Sequence, residues 1–262
     1  MLTYLVYLLT GALGGIIIGA LGSGSSLVIL PLLSFIFSHI FPHDIAIKAA
    51  VATCLAALVV GSASGAASYY RKGFFNTKLI MLCLPGVLAG AVIAPLTTHL
   101  LPAAWLKWYI GLFLILIALY KLWNVYKGKW AAVRPVEPVL IVLMSMVSAT
   151  LSGMAGVALG ILMIPFLSRY TDHHSVLGTN LIVAVPYSII GSAGYVVSGL
   201  QVHDFGTNWM AGYVFLPAFL TIAVTMAIFP PLGLKLVQNV KPVIVQNIFY
   251  LYLLLAGIGI LV

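Results

Sequence analysis

The sequence predicts an all-α polytopic membrane protein made of two inverted repeats, each a broken, V-shaped helical hairpin plus three transmembrane helices. Three observations carry this reading: an apolar composition poor in charge, a series of long apolar runs, and a motif that recurs in the second half of the chain. Of the 262 residues, 63% are hydrophobic and 6% charged, against about 25% charged in soluble domains. The apolar runs reach or exceed the roughly 17–25 residues needed to cross a hydrocarbon core about 30 Å thick. They lack strand-like alternation, and lipid leaves only helices or closed barrels as spanning structures.

The runs fall at 4–38, 45–70, 79–98, 104–123, 139–168, 175–198, 209–229 and 243–262. As a straight helix the first would be roughly 50 Å long at 1.5 Å per residue, too long for one span. Both it and 139–168 contain glycine-rich interruptions. No Lys or Arg precedes Lys48, so the first run lacks the basic n-region of a cleaved signal peptide and is read as part of the mature protein. Cys54 and Cys83 lie inside apolar runs and are read as small packing residues.

The two interrupted runs carry the repeat. GALGSGSSLVILPLLS begins at Gly19 and GMAGVALGILMIPFLS at Gly153. Gly19, Gly22, Pro31, Leu33 and Ser34 match Gly153, Gly156, Pro165, Leu167 and Ser168 at one offset. After a shorter loop the match resumes. Ala50 to Leu55 faces Val176 to Leu181, and Gly65, Tyr69 and Gly73 face Gly191, Tyr195 and Gly199. The chain therefore divides into a first membrane repeat (1–126), a basic cytoplasmic linker KGKWAAVRPVEP (127–138) and a second membrane repeat (139–262).

Charge decides how the interrupted runs sit. The formal net charge is +8, but the twelve Lys and Arg residues lie between or at the edges of the apolar runs, the positive-inside pattern and not the footprint of a nucleic-acid partner. If both interrupted runs crossed the membrane, the basic residues would divide 7 to 5. If both fold back as hairpins, Arg71, Lys72, Lys78, Lys121, Lys127, Lys129, Arg134, Arg169, Lys235 and Lys241 share one side, and Lys48 and Lys107 remain on the other. The rule favours the hairpins. Both termini are then periplasmic, and three crossings plus a hairpin per half insert the two halves in opposite senses, an architecture used by transporters.

Gly22 to Pro31 with Ala50 to Cys54, and Gly156 to Pro165 with Val176 to Asn180, resemble the two copies of the signature of the TauE/SafE sulfite exporters, within the toluene sulfonate uptake permease superfamily. The resemblance covers nearly the whole chain. Ser25 and Ser26, and Ala158 and Leu159, stand where that family often has glycines, and Cys54 and Asn180 replace its serine. The resemblance implies movement of sulfite, sulfonates or related organosulfur anions across the cell inner membrane, without an ATPase subunit.

Independently of family, an anion at mid-membrane needs hydrogen-bond donors and positive potential. A broken helix supplies both through its unpaired N–H groups and its dipole. Gly22, Ser23, Gly24, Ser25 and Ser26 are the expected substrate-binding residues of the first half, and Gly156, Val157 and Ala158 of the second. Thr53, Thr179 and Asn180 are expected to add side-chain donors near the pseudo-twofold axis. The competing reading is that small residues merely pack helices together. Lys48 either attracts anions to the outer mouth or snorkels to the interface.

His39, His43 and Asp44 precede Lys48, but Pro42 interrupts any helical spacing, so no metal site is expected there; His173 with His174, and His203 with Asp204, read as loops. The four acids Asp44, Glu137, Asp172 and Asp204 lie at segment ends, and no H-E-x-x-H or G-x-S-x-G occurs, which argues against an intramembrane enzyme. The expected function is alternating-access secondary transport, most simply export, of sulfite or a related small organosulfur or sulfonate anion across the inner membrane. The alternatives are proton-assisted uptake of an organosulfonate or a passive anion channel. No cofactor is expected, the partners are the anion and the bilayer, and the chain is a monomer or homodimer.

Overall fold

The computed structural model describes residues 2–125, 135–200, 209–236, 254–255 and 257–260. Ten helices are described: α1 (Leu2–Leu21), α2 (Ser26–Ser38), α3 (His43–Tyr70), α4 (Thr77–Leu100), α5 (Ala103–Val125), α6 (Pro138–Met154), α7 (Gly160–Leu167), α8 (His173–Gly199), α9 (Leu216–Ile228) and α10 (Pro230–Leu236). Five are long and apolar enough to cross a membrane, six if α9 and α10, bent by 44°, count as one span. The protein is therefore a multi-pass, all-α membrane protein. Most of the linker and of the final run, together with His203 and Asp204, lies outside the described residues.

Both glycine-rich interruptions break their helices, at 22–25 between α1 and α2 and at 155–159 between α6 and α7. One apolar run departs from the helical expectation at its start. Within 209–229, β1 (Met210–Ala211) and β2 (Val214–Phe215) form an antiparallel pair, and α9 begins only at Leu216. Gly212, at φ +54°, makes the turn, and Pro217 sets a helix start, where its missing N–H costs nothing.

Helix directions follow from which residues meet. Gly11 faces Ile222 and Thr225, Gly15 faces Phe229, and Gly19 faces Pro230, so α1 runs parallel to α9 and α10. Gly86 faces Val142 and Met146, Gly90 faces Met146 and Ala149, and Ala94 faces Gly153, so α4 runs parallel to α6. Helix backbones approach this closely because glycines line the contacts, the usual device where no hydrophobic force drives helices together. Contacts of Thr53 with Phe215 and Ser64 with Ala227 make α3 parallel to α9. Those of Thr179 with Asn76 and Tyr195 with Thr98 make α8 parallel to α4.

With α1 and α3 pointing the same way, α2 must run back between them. The same holds for α7 between α6 and α8. Among the described residues, Arg71, Lys72, Lys78, Lys121, Arg169 and Lys235 then belong to helix ends or loops on one side, and Lys48 and Lys107 to the other. At the centre, α3 and α8 cross antiparallel. Leu55 faces Gly191, and its repeat mate Leu181 faces Gly65, the mate of Gly191. Such registers are what two inverted copies exchanging helices would produce.

Candidate functional site

Each break turns on a glycine in the left-handed region, Gly22 and Gly156, both at φ +65°. A side chain would be strained there by conformation and by contact, because a Cβ would lie 2.9 Å from Leu177 Cβ at Gly22 and 2.9 Å from Val51 Cα at Gly156. Three residues earlier, matched tyrosines satisfy matched carbonyls. Tyr69 donates to Gly19 O at 3.3 Å, and Tyr195 donates to Gly153 O at 3.0 Å. Both phenols are buried, which assigns the repeat-matched tyrosines to the breaks and not to the membrane interface.

Beyond the glycines the breaks diverge. At the second, the N–H of Gly156 bonds Gly153 O and that of Val157 bonds Ser152 O, the paired bonds of a Schellman helix end. The N–H of Ala158 donates to Ser26 Oγ at 2.7 Å. At the first, Gly22 N bonds Ile18 O, the single bond of the simpler left-handed cap. The N–H groups of Ser23, Gly24, Ser25 and Ser26 then have no acceptor among the described residues. All four residues are buried. The hydroxyls of Ser23 and Ser25 are also buried without a partner. Buried unpaired N–H groups are rare in native structures, and here they stand at the N-terminus of α2, whose dipole favours negative charge.

Asn180 reaches this break. Its side-chain amide donates to Gly22 O at 2.9 Å, while Oδ1 has no partner. Gly160 lies against both Asn180 and Ser23, so a side chain there would collide with them. The threonines go elsewhere. Thr53 Oγ1 accepts from the N–H of Phe215 at 3.0 Å, and Thr179 Oγ1 from the N–H of Asn76 at 2.9 Å. Each thus caps, from one repeat, the residue just before a helix of the other. Because α3 and α8 are antiparallel, the two threonines sit toward opposite ends of the pair and do not converge.

A cavity lies beside the first break, lined by Gly22 and Ser23 and, across it, by Asn180, Tyr187, Ser62 and Ser188. Ser62 and Ser188, mates at the 126-residue offset, bring their hydroxyl oxygens within 3.4 Å. Ser62, Tyr187 and Ser188 lie outside the set expected from sequence. The serines were detectable from the repeat offset, whereas Tyr187 was not, because its mate is Gly61. Lys48, half-buried, donates to His99 O at 3.1 Å, and Cys54 and Cys83 are buried free thiols.

Comparison with known proteins agrees with this architecture. Three proteins named as probable membrane transporters are similar to the chain. One from Haemophilus influenzae is 23% identical, over 97% of each chain. One from Methanocaldococcus jannaschii is 27% identical, over 87% of this chain and 85% of its own. One from Bacillus subtilis is 28% identical, over 71% of this chain and 76% of its own. No solved structure matches. The family model for the sulfite exporter TauE/SafE matches residues 7–260, and the chain belongs to that family.

Proposed function

We propose that this transporter carries sulfite or a closely related organosulfur oxyanion across the cell inner membrane by alternating access, with the anion held at the first break. The observation behind this reading is the group of four buried N–H donors at 23–26, joined by the unpartnered hydroxyls of Ser23 and Ser25. Neutral donors fixed by the fold suit an oxyanion, and no charged side chain has to be buried beside it. Asn180 holds the break in shape, Gly156, Val157 and Ala158 form the turn that bonds it through Ser26, and Thr53 and Thr179 cap helix starts away from it. Asp44, Glu137 and Asp172 are exposed at or beside helix ends, so the charge that moves is the substrate's own. A membrane potential is worth about 2.3 kcal/mol per charge per 100 mV and, with a negative interior, drives an anion outward, which favours export.

The experiment is a thermal-shift panel on the purified protein with sulfite, thiosulfate, sulfate, sulfoacetate and taurine. A sulfur oxyanion should raise the melting temperature with dose. No stabilisation by any of the five, with transport of them also absent from proteoliposomes, would sink the reading. The charge arrangement further supports periplasmic termini and a cytoplasmic linker. A cysteine at Gly128 should then resist an impermeant thiol reagent applied to intact cells, and rapid labelling would reverse the orientation.

A further inference from the structure

Beside the paired serines the two halves of the chain differ most in size at one position. Ser62 pairs with Ser188, but the residue before each differs: Gly61 in the first repeat and Tyr187 in the second. On the glycine side the space is taken by Met226, whose Cε sits where a Cβ would go. On the other side Tyr187 is 1% exposed, lines the cavity, and donates its hydroxyl to Val157 O at 3.0 Å. The hydrogen bond at one end and the packed helix at the other deny the ring a second position.

The cavity has two kinds of wall. Gly22 and Ser23 of the first break, with Asn180, Ser62 and Ser188, make the polar part; Ile18, Leu58, Leu159 and Leu181 are apolar, and Tyr187 lines it too. An organosulfonate would fit such a site with its headgroup at the donors and its organic substituent along the apolar wall. The Tyr187 side chain bounds the cavity on that wall.

We propose that Tyr187 sets the upper size limit of the transported anion: its ring occupies the space a substituent would need, so the site selects a small inorganic sulfur oxyanion over organosulfonates. This rests on the first break as the anion site. A substituent could enter only by displacing a packed ring and leaving the Val157 carbonyl unpaired, and overpacking and orphaned polar groups are both unfavourable.

The test is a homologous series with constant charge and headgroup: methanesulfonate, ethanesulfonate and propanesulfonate, with sulfite as reference, titrated calorimetrically into the purified full-length protein. In the wild type affinity should fall along the series by about tenfold or more per carbon, the scale on which pockets discriminate a methylene. Tyr187→Phe keeps the ring and should keep the fall; Tyr187→Ala removes it and should flatten the series. Equal affinity across the series in the wild type, or an equally steep fall in a folded Tyr187→Ala, would overturn the size limit while leaving the anion site intact. Absence of binding by every member, sulfite included, would overturn the anion site and the size limit together. Should Tyr187→Ala fail to fold, the wild-type series and Tyr187→Phe still decide: a flat series in either overturns the proposal.

Discussion

Gly22 and Gly156 hold the same left-handed conformation, each three residues past a glycine whose carbonyl takes a tyrosine hydroxyl, yet the turns that follow dispose of their backbone donors differently. The second break folds Val157 N back onto Ser152 and gives Ala158 N to Ser26. The first does neither, and so leaves four donors in a row where the second leaves two, those of Leu159 and Gly160. The two turns share one glycine geometry, and small differences in capping leave more unpaired polar groups at the first than at the second. Matching backbone turns therefore do not present matching sets of donors.

The sharpest way to break this comparison is to remove hydroxyls on each side. Ser23→Ala with Ser25→Ala should weaken anion affinity about ten- to hundredfold, since a hydrogen bond to a charged group is worth roughly 1.5–3 kcal/mol. Ser152→Ala, beside the second break, should leave it within about twofold, a change equivalent to a few tenths of a kcal/mol. Isothermal titration would read both, and equal losses would abolish the proposed division of labour.

Gly22→Ala and Gly156→Ala probe what the breaks share. Each puts a Cβ on a left-handed residue against a helix, and should lower stability by about 1–3 kcal/mol, visible as a fall in melting temperature. A harmless substitution at one site alone would mean that the two turns are not equivalent even as scaffolds.

Asn180 and Cys54 are repeat mates with unequal tasks. The asparagine amide satisfies Gly22 O at 2.9 Å, whereas the Cys54 thiol stands 3.9 Å from Ser26 O. Asn180→Ala should cost about 1–3 kcal/mol through the orphaned carbonyl, and Cys54→Ala less. Denaturation in detergent would compare them, and a larger loss at Cys54 would contradict the geometry.

The smallest expected effect concerns how the central helices begin. Asp172 accepts from Ser175 N at the start of α8, while Pro42 at the start of α3 offers no side-chain cap. That backbone N–H holds the Asp172 carboxyl below its usual range. A folded-state pKa below the unfolded value means that the stabilisation is present at neutral pH and is lost as pH falls through the acidic range. Asp172→Ala should cost about 1 kcal/mol and remove that part of the acid sensitivity. A melting temperature unchanged at neutral pH would show that the cap contributes nothing.

Much of this architecture was legible because it is written twice. The matched Gly22 and Gly156 mark both breaks, and charge counting favoured the hairpins. Features that depend on one half meeting the other were not legible. Thr53 and Thr179 look like paired ligands until their partners, the N–H groups of Phe215 and Asn76, are known. The turn at Gly212 does not stand out in the apolar run at 209–229, because Gly and Pro are also frequent inside membrane helices. Tyr187 escaped because a search for matches passes over a mismatch.

The parallel contact of α1 with α9 and α10 has a consequence during synthesis. The glycine face of α1, at Gly11, Gly15 and Gly19, finds its partner only in residues around 222–230. At about 5–20 residues per second, the roughly 200 intervening residues take about 10–40 s to emerge. For that interval the first hairpin sits in the bilayer with its tightest packing surface uncovered. A nascent chain arrested before residue 216 should therefore be cleared by membrane quality control or held by an insertase, and release just past residue 236 should mark the point at which it becomes resistant to proteolysis.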